Sequence, residues 1–161
     1  MKLKKIILLA SILIVSVAAF AQKLPSDKLI GVWESVDSDP KLKFEFYKSG
    51  DKYFGKLLHA SNMYEEDGKT PKKDFKNPDE KLRDRSRYGI TNITNLTYED
   101  GEYTGGKLYN PEEGRSYSVM VKLTSANEMD FRGYVGFSLL GKTMKFKRVL
   151  DKTQKASNED R

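Results

Sequence analysis

The chain has 161 residues, of which 38% are hydrophobic and 32% charged, with a formal net charge of +6 and no cysteine. The lack of cysteine excludes a disulfide framework, a thiolate metal site and a cysteine nucleophile. A chain of this length forms one domain with a modest hydrophobic core.

The first 21 residues have the order of features of a signal peptide. Three lysines precede an apolar run over residues 6–21, which ends in Ala19-Phe20-Ala21 before Gln22. The run of about 16 residues is shorter than the ~20 needed to cross a bilayer, which favours cleavage over an uncleaved anchor. No cysteine follows the cleavage site, so we expect no lipoprotein anchor. The sequence therefore predicts a protein exported to a periplasm or out of the cell, with no membrane span after cleavage.

Cleavage would leave 140 residues with a net charge of +3. In this mature chain, residues 22–28 are predicted to form a linker and residues 29–150 a single β domain. Residues 151–161 are polar, nearly balanced in charge and without periodicity, which predicts a disordered tail.

Eight segments of the domain have strand character. The clearest alternate apolar and polar residues with a period of two, as in Phe44 and Phe46 between Lys43, Glu45 and Tyr47. The predicted strands cover residues 29–36, 43–47, 52–60, 89–98, 102–109, 116–123, 127–134 and 142–149. Most are joined by short turns rich in Gly, Pro, Asn or Asp, and such turns favour an antiparallel meander. We predict an all-β fold in which about eight strands close into a small up-and-down barrel.

One connection interrupts this pattern. Residues 61–87 contain 8 basic and 7 acidic residues, two prolines and few apolar groups. Pro78 begins a stretch to residue 85 that favours one or two helical turns. An insertion of this length is either a functional lid or a solvated loop, and its composition favours the solvated loop.

Two sets of residues carry a family resemblance. Gly31 and Trp33 open the first strand, and Arg148 lies on the apolar side of the last strand. This resembles lipocalin-like barrels, in which a first-strand tryptophan packs near an arginine of the final strand and closes one end. Physically, an indole ring can shield a guanidinium through a cation–π contact.

The second set looks like domain-of-unknown-function family 2147, a group of small exported bacterial proteins. Its motifs follow one another along the chain: Lys76-Asn77-Pro78-Asp79, Leu82-Arg83, Gly105-Gly106-Lys107-Leu108-Tyr109-Asn110-Pro111, Gly114, Tyr117, Arg132-Gly133-Tyr134-Val135-Gly136 and Leu139-Leu140-Gly141-Lys142-Thr143. The resemblance covers about residues 29–149. It implies a lipocalin-like β-barrel and no established activity. This chain departs from the family pattern at Tyr103 and Phe146, where the family usually carries tryptophan.

Enzymatic function finds little support in the sequence. The chain has one histidine, His59, and no nucleophile-elbow motif, so a Ser–His–Asp triad is not indicated. Acidic clusters at residues 37–39 and 65–68 lack the spacing of a calcium loop, and we expect no metal and no cofactor. The glycines at residues 105 and 106 lack the spacing of a phosphate-binding loop and predict a β-bulge.

Nucleic acid is not an expected partner, because the basic residues of the mature chain are interleaved with acids. A local basic patch for anionic polysaccharide or lipid headgroups stays open as a minor alternative. Its members are Lys52, Lys56, Arg132, Lys145 and Lys147.

An apolar barrel interior is the main positive signal for function. Strand periodicity directs nine side chains inward, where we expect them to line a site for a small apolar or amphipathic molecule: Phe44, Phe46, Tyr117, Val119, Val121, Met129, Phe131, Met144 and Phe146. Tyr117 would supply a polar contact to that molecule.

Two other functions remain open. A structural or partner-binding protein of the cell envelope predicts one exposed patch that includes Phe75, Tyr88, Tyr109 or Phe137. An enzyme acting on envelope glycans predicts a cleft with two facing carboxylates. The sequence does not determine the oligomeric state.

Overall fold

The computed structural model describes residues 25–150. The predicted signal peptide, the start of the linker and the predicted tail at residues 151–161 lie outside the described residues. A 3-10 helix, Pro25–Leu29, precedes eight strands. The strands are β1 Gly31–Ser35, β2 Leu42–Ser49, β3 Lys52–Ala60, β4 Thr91–Glu99, β5 Glu102–Asn110, β6 Arg115–Leu123, β7 Glu128–Tyr134 and β8 Lys142–Arg148. Short 3-10 helices also occur at Glu80–Leu82 and Ser138–Leu140. No helix between residues 25 and 150 is long and apolar enough to cross a membrane.

Each strand pairs antiparallel with the next strand, and β1 pairs with β8 to close the barrel. The predicted all-β meander of eight strands is therefore confirmed. Closure leaves neither edge of the sheet unpaired, so a small domain without disulfides has no open edge strand.

Strand periodicity places the large apolar side chains inside the barrel. Of the nine residues predicted to point inward, seven are buried: Phe44, Phe46, Val119, Val121, Met129, Phe131 and Phe146. Tyr117 and Met144 are partly buried. Both lie toward the end of the barrel where the cavity described below is found.

The glycine pair of β5 forms the predicted bulge. The pairing of β5 with β6 shifts register between Tyr103 and Gly106. Gly105 has φ +72°, a left-handed conformation that glycine adopts without steric cost. A Cβ on Gly106 would lie 2.7 Å from the Leu96 side chain, so the inner wall has no room for a larger residue there.

The amino-terminal 3-10 helix covers one end of the barrel. Residues 25–28, inside the predicted linker, belong to this helix, and its last residue, Leu29, is fully buried. The Tyr103 hydroxyl donates a hydrogen bond to the Ser26 carbonyl (2.7 Å) and accepts one from the Leu29 amide (3.1 Å). Tyr103 stands where the family usually carries tryptophan, and its hydroxyl makes polar contacts that hold the helix in place.

Trp33 and Arg148 meet at the same end. They are opposite each other in the β1–β8 pairing, and the guanidinium lies 4.2 Å from the centroid of the indole ring. The Trp33 indole donates to the Leu29 carbonyl (2.8 Å). Gly31 has φ +128°, and a Cβ there would lie 2.9 Å from Arg148 Nη1. We call this the closed end.

The long connection before β4 is folded against the barrel. Two isolated bridges, Tyr64 with Pro71 and Lys73 with Ser86, give it internal order. Met63, Asp74, Asn77 and Arg87 are buried. Most of residues 61–87 are exposed, but the expectation of a solvated loop is wrong for these four residues. The charged groups among them can be buried because they are paired, Asp74 with Tyr109 of β5 and Arg87 with Glu112. Its predicted helical segment is reduced to the turn Glu80–Leu82.

Candidate ligand-binding cavity

A cavity of about 380 Å³ lies at the end of the barrel opposite the closed end. The β1–β2, β3–β4, β5–β6 and β7–β8 connections surround this end, which we call the mouth. The volume lies within the range of small-molecule sites in proteins.

Two phenylalanine rings form the floor of the cavity, and a third packs beneath them. Phe44 and Phe131 line it and stack on each other with their centroids 5.8 Å apart. Phe146 packs on both rings from the side of the closed end, at 5.8 Å from Phe44 and 5.5 Å from Phe131. The barrel is therefore filled below these rings and hollow above them.

The walls of the cavity are mainly aliphatic. A bulge in the β2–β3 pairing puts Leu57 opposite Phe44 and Ala60 opposite Leu42. Because of this irregularity, both Leu57 and Ala60 line the cavity. Further apolar lining comes from Leu42, Met63, Leu108 and Met144. Met63 belongs to the β3–β4 connection, so that connection supplies part of the wall.

Polar groups lie at the rim of the cavity. Arg87, with a side chain only 6% exposed, donates from Nη1 to Glu112 Oε2 at 2.5 Å. The Tyr117 hydroxyl donates to Glu113, and this hydrogen bond raises the pKa of Tyr117. Lys142 and Asp39 also contribute to the lining. An apolar chamber with a mixed polar rim suits a molecule with an apolar body and a polar end.

The structure divides the nine predicted lining residues into two groups. Phe44, Tyr117, Phe131 and Met144 line the cavity. The other five are packed in the filled part of the barrel and do not line it: Phe46, Val119, Val121, Met129 and Phe146. The period-two alternation predicts which side of the sheet a residue faces. It does not predict how deep in the barrel the residue lies, because that depends on how the sheet closes.

Several lining residues have no counterpart in the sequence prediction. Leu57 could have been found from the alternation of Tyr53, Gly55 and Leu57 in β3. Ala60 could not, because the bulge changes the period just before it. Arg87 and Met63 lie in the highly charged connection, where no periodicity marks them.

The remaining candidate residues have structural environments. His59 lies beside Tyr64 with the ring centroids 5.7 Å apart. Asp67 accepts hydrogen bonds from the Lys69 and Thr70 amides and from the Thr70 hydroxyl, contacts that lower its pKa and fix a turn. In the described part of the chain, no group of three His, Cys, Asp or Glu side chains is placed to hold a metal ion.

The exposed aromatic patch is incomplete. Phe75, Tyr88 and Phe137 are exposed, but they lie in two different connections. Tyr109 is half-buried, and its hydroxyl donates to Asp74 Oδ1 at 2.6 Å, so its predicted place in an exposed patch is wrong. Burial and this hydrogen bond raise the pKa of Tyr109 to about 12.

Comparisons with known proteins agree with the barrel fold. A family model described as "Uncharacterized protein conserved in bacteria (DUF2147)" matches residues 31–148. Among solved structures, the chain is similar to protein HP1028 from the human pathogen Helicobacter pylori, which is described as belonging to the lipocalin family. That match has a TM-score of 0.67 and 29% identity, and covers 81% of this chain and 88% of the other. The comparison with curated proteins found no matching relative.

Proposed function

The chain belongs to the DUF2147 family, and from this membership and the geometry of the mouth cavity we propose that it binds a small apolar or amphipathic molecule inside the barrel. The observation that carries the proposal is the hollow between the phenylalanine floor and the mouth. The lipocalin-like fold supports it.

The shape and lining of the cavity suggest how the molecule would lie. Its apolar part would rest on Phe44 and Phe131, between Leu57 and Met144. Its polar end would point to the rim, where Arg87 and Tyr117 carry hydrogen-bonding groups. A cavity already present in the fold limits the ordering entropy lost on binding.

We also propose that the protein is exported and acts without catalysis. The support for export is the order of features in residues 1–21. The support for a non-enzymatic role is that the polar groups at the rim pair with each other, as Arg87 with Glu112, instead of forming a nucleophile–base arrangement.

The proposal can be tested by filling the cavity. Ala60 is buried in the cavity wall, so Ala60→Phe should occupy the space that a ligand would use. The probe is N-phenyl-1-naphthylamine, an uncharged fluorophore whose emission rises in apolar sites. We expect the wild-type protein to bind it and the Ala60→Phe variant to bind about tenfold more weakly.

The matched control is Ala126→Phe, in the exposed β6–β7 turn at the closed end. Circular dichroism checks that both variants fold. If the Ala60→Phe variant does not fold, Met144→Trp is used instead, because it fills the cavity from another strand. Equal probe binding by the wild type and a folded, cavity-filled variant would overturn the proposal.

A further inference from the structure

The connection between β7 and β8 carries a concentrated apolar surface at the mouth. Val135, Phe137, Leu139 and Leu140 are 66%, 79%, 89% and 81% exposed. The other large apolar residues exposed between residues 25 and 150 are separated along the chain, and none exceeds 59%. Four such side chains in six consecutive residues form an exposed apolar cluster, which isolated hydrophobic residues on a surface do not form.

The loop is held in this exposed conformation. The Arg132 guanidinium donates from Nε to the Ser138 carbonyl (2.7 Å) and from Nη2 to the Leu139 carbonyl (3.1 Å). It also donates from Nη1 to the Thr143 hydroxyl (2.7 Å). These contacts join the loop to the strands on both sides of it. The apolar side chains are therefore presented on a fixed turn.

Charge is distributed so that cations border the apolar tip. Residues 133–141 contain no charged side chain, and Arg132 and Lys142 lie immediately on either side. Gly133 pairs with Lys142 across the two strands, which puts both cations at the base of the loop. The acidic rim groups Glu112 and Glu113 belong to the β5–β6 turn and contact Arg87 and Tyr117.

We propose that this loop inserts into the surface of a phospholipid bilayer. Phenylalanine and leucine side chains would enter the boundary between headgroups and acyl chains, while Arg132 and Lys142 would remain level with the phosphates. The uncharged tip matches the apolar acyl chains of a lipid leaflet, and the two cations beside it match the layer of negatively charged phosphates above those chains. The inference goes beyond the proposed function and does not depend on it.

The position of the loop gives this contact a consequence for the cavity. Gly133, Lys142 and Met144, on the strands that carry the loop, line the cavity. Insertion would therefore hold the mouth against the lipid surface, and an amphipathic molecule could pass between lipid and barrel with little exposure to water.

The test places a fluorophore at the tip. The Phe137→Trp variant of the full chain is mixed with vesicles of equimolar phosphatidylcholine and phosphatidylglycerol that carry bromine on their acyl chains. Bromine quenches tryptophan only at short range. We therefore expect the emission of the introduced tryptophan to fall about twofold or more when the loop inserts. Trp33 is buried at the closed end and supplies a background that vesicles leave unchanged. The readout comes from the loop, so residues 6–21 cannot reproduce it.

The matched control is Tyr98→Trp, which lies toward the closed end beside Tyr103 and should not be quenched. In sedimentation with vesicles, carried out on residues 22–161 so that the apolar run at residues 6–21 cannot itself bind lipid, Phe137→Ser combined with Leu139→Ser and Leu140→Ser should reduce binding about tenfold. Replacing Phe75, Leu82 and Tyr88 by serine removes exposed apolar groups elsewhere and should not reduce binding.

Three results would overturn the inference. They are an unquenched Phe137→Trp variant, undiminished sedimentation of the triple loop variant, and a wild-type dimer that this triple variant dissociates. The last result would mean that a second copy of the chain covers the loop. The Ala60→Phe variant should sediment like the wild type, so failure of the cavity proposal and failure of this inference are distinguishable.

Discussion

Arg148 joins three parts of the chain at the closed end. Its guanidinium covers Trp33 and donates hydrogen bonds to the carbonyls of Lys28, Ile30 (2.8 Å) and Ala126 (3.1 Å). Burial lowers the pKa of Arg148. Its planar group has enough donors to reach all three carbonyls while stacking on the indole, which a lysine ammonium cannot do.

Arg148→Lys should therefore destabilise the protein although it retains the charge. We expect a loss of about 2 to 3 kcal/mol in the free energy of unfolding, because at least one charged hydrogen bond and the stacked contact disappear. Urea unfolding measures the change, with Arg115→Lys at an exposed site as the control. A loss equal to that of the control would show that the arginine geometry is not needed.

Asp27 fastens the 3-10 helix to the barrel. One carboxylate oxygen, Oδ1, accepts hydrogen bonds from Lys48 Nζ (2.9 Å) and from the Tyr53 hydroxyl (2.7 Å). These two contacts lower the pKa of Asp27 below its ordinary value of 3.8. The folded state therefore binds this proton less readily than the unfolded chain does.

The stabilisation from Asp27 should be complete above its ordinary pKa and decrease as the pH falls through the folded-state pKa. We expect the difference in urea midpoint between the wild type and Asp27→Asn to be constant near pH 6 and to shrink toward about pH 3. A difference that is independent of pH over this interval would exclude the contribution of this carboxylate.

Among the elements, the β3–β4 connection shows how a charged segment becomes ordered. Asp74 is fully buried and accepts hydrogen bonds from Tyr109 (2.6 Å), Asn77 (2.7 Å) and Arg85 (3.0 Å). The contact to Tyr109 of β5 joins the connection to the barrel wall. Arg87 adds a second contact through Glu112.

Tyr109→Phe removes the first of these contacts and leaves Asp74 with fewer donors. We expect a loss of about 1 to 2 kcal/mol in the free energy of unfolding. Amide exchange should become faster than in the wild type in residues 61–90, and by more than it does in the β strands. Tyr47→Phe is the matched control, because the Tyr47 hydroxyl contacts Thr91 at an exposed site. Unchanged exchange in residues 61–90 would show that the connection is held by other contacts.

The predictability of the elements follows the range of the interactions that form them. Strands with a local period of two, such as β2 with Phe44 and Phe46, were predictable from neighbouring residues. Burial of Asp74 depends on Tyr109, 35 residues away, and no local pattern shows that partner. The 3-10 helix likewise depends on distant groups, Tyr103 and Lys48.

At the scale of the whole molecule, the barrel has a filled half and a hollow half. Trp33, Tyr53 and Tyr103 fill the region near the closed end, and the phenylalanine floor separates it from the cavity. The sequence predicted the barrel and its inward residues. It could not locate the cavity, because the cavity results from closure, the bulge beside Leu57 and the folded β3–β4 connection.

The most direct test of the central claim is native mass spectrometry of the protein isolated from the cells that produce it. We predict a reproducible extra mass of the order of a few hundred daltons, which suits the volume of the cavity. The Ala60→Phe variant isolated in the same way should lack this mass, and the Ala126→Phe variant should retain it. A wild-type protein that carries no ligand, or a ligand retained by the folded Ala60→Phe variant, would contradict the assignment of the cavity as a binding site.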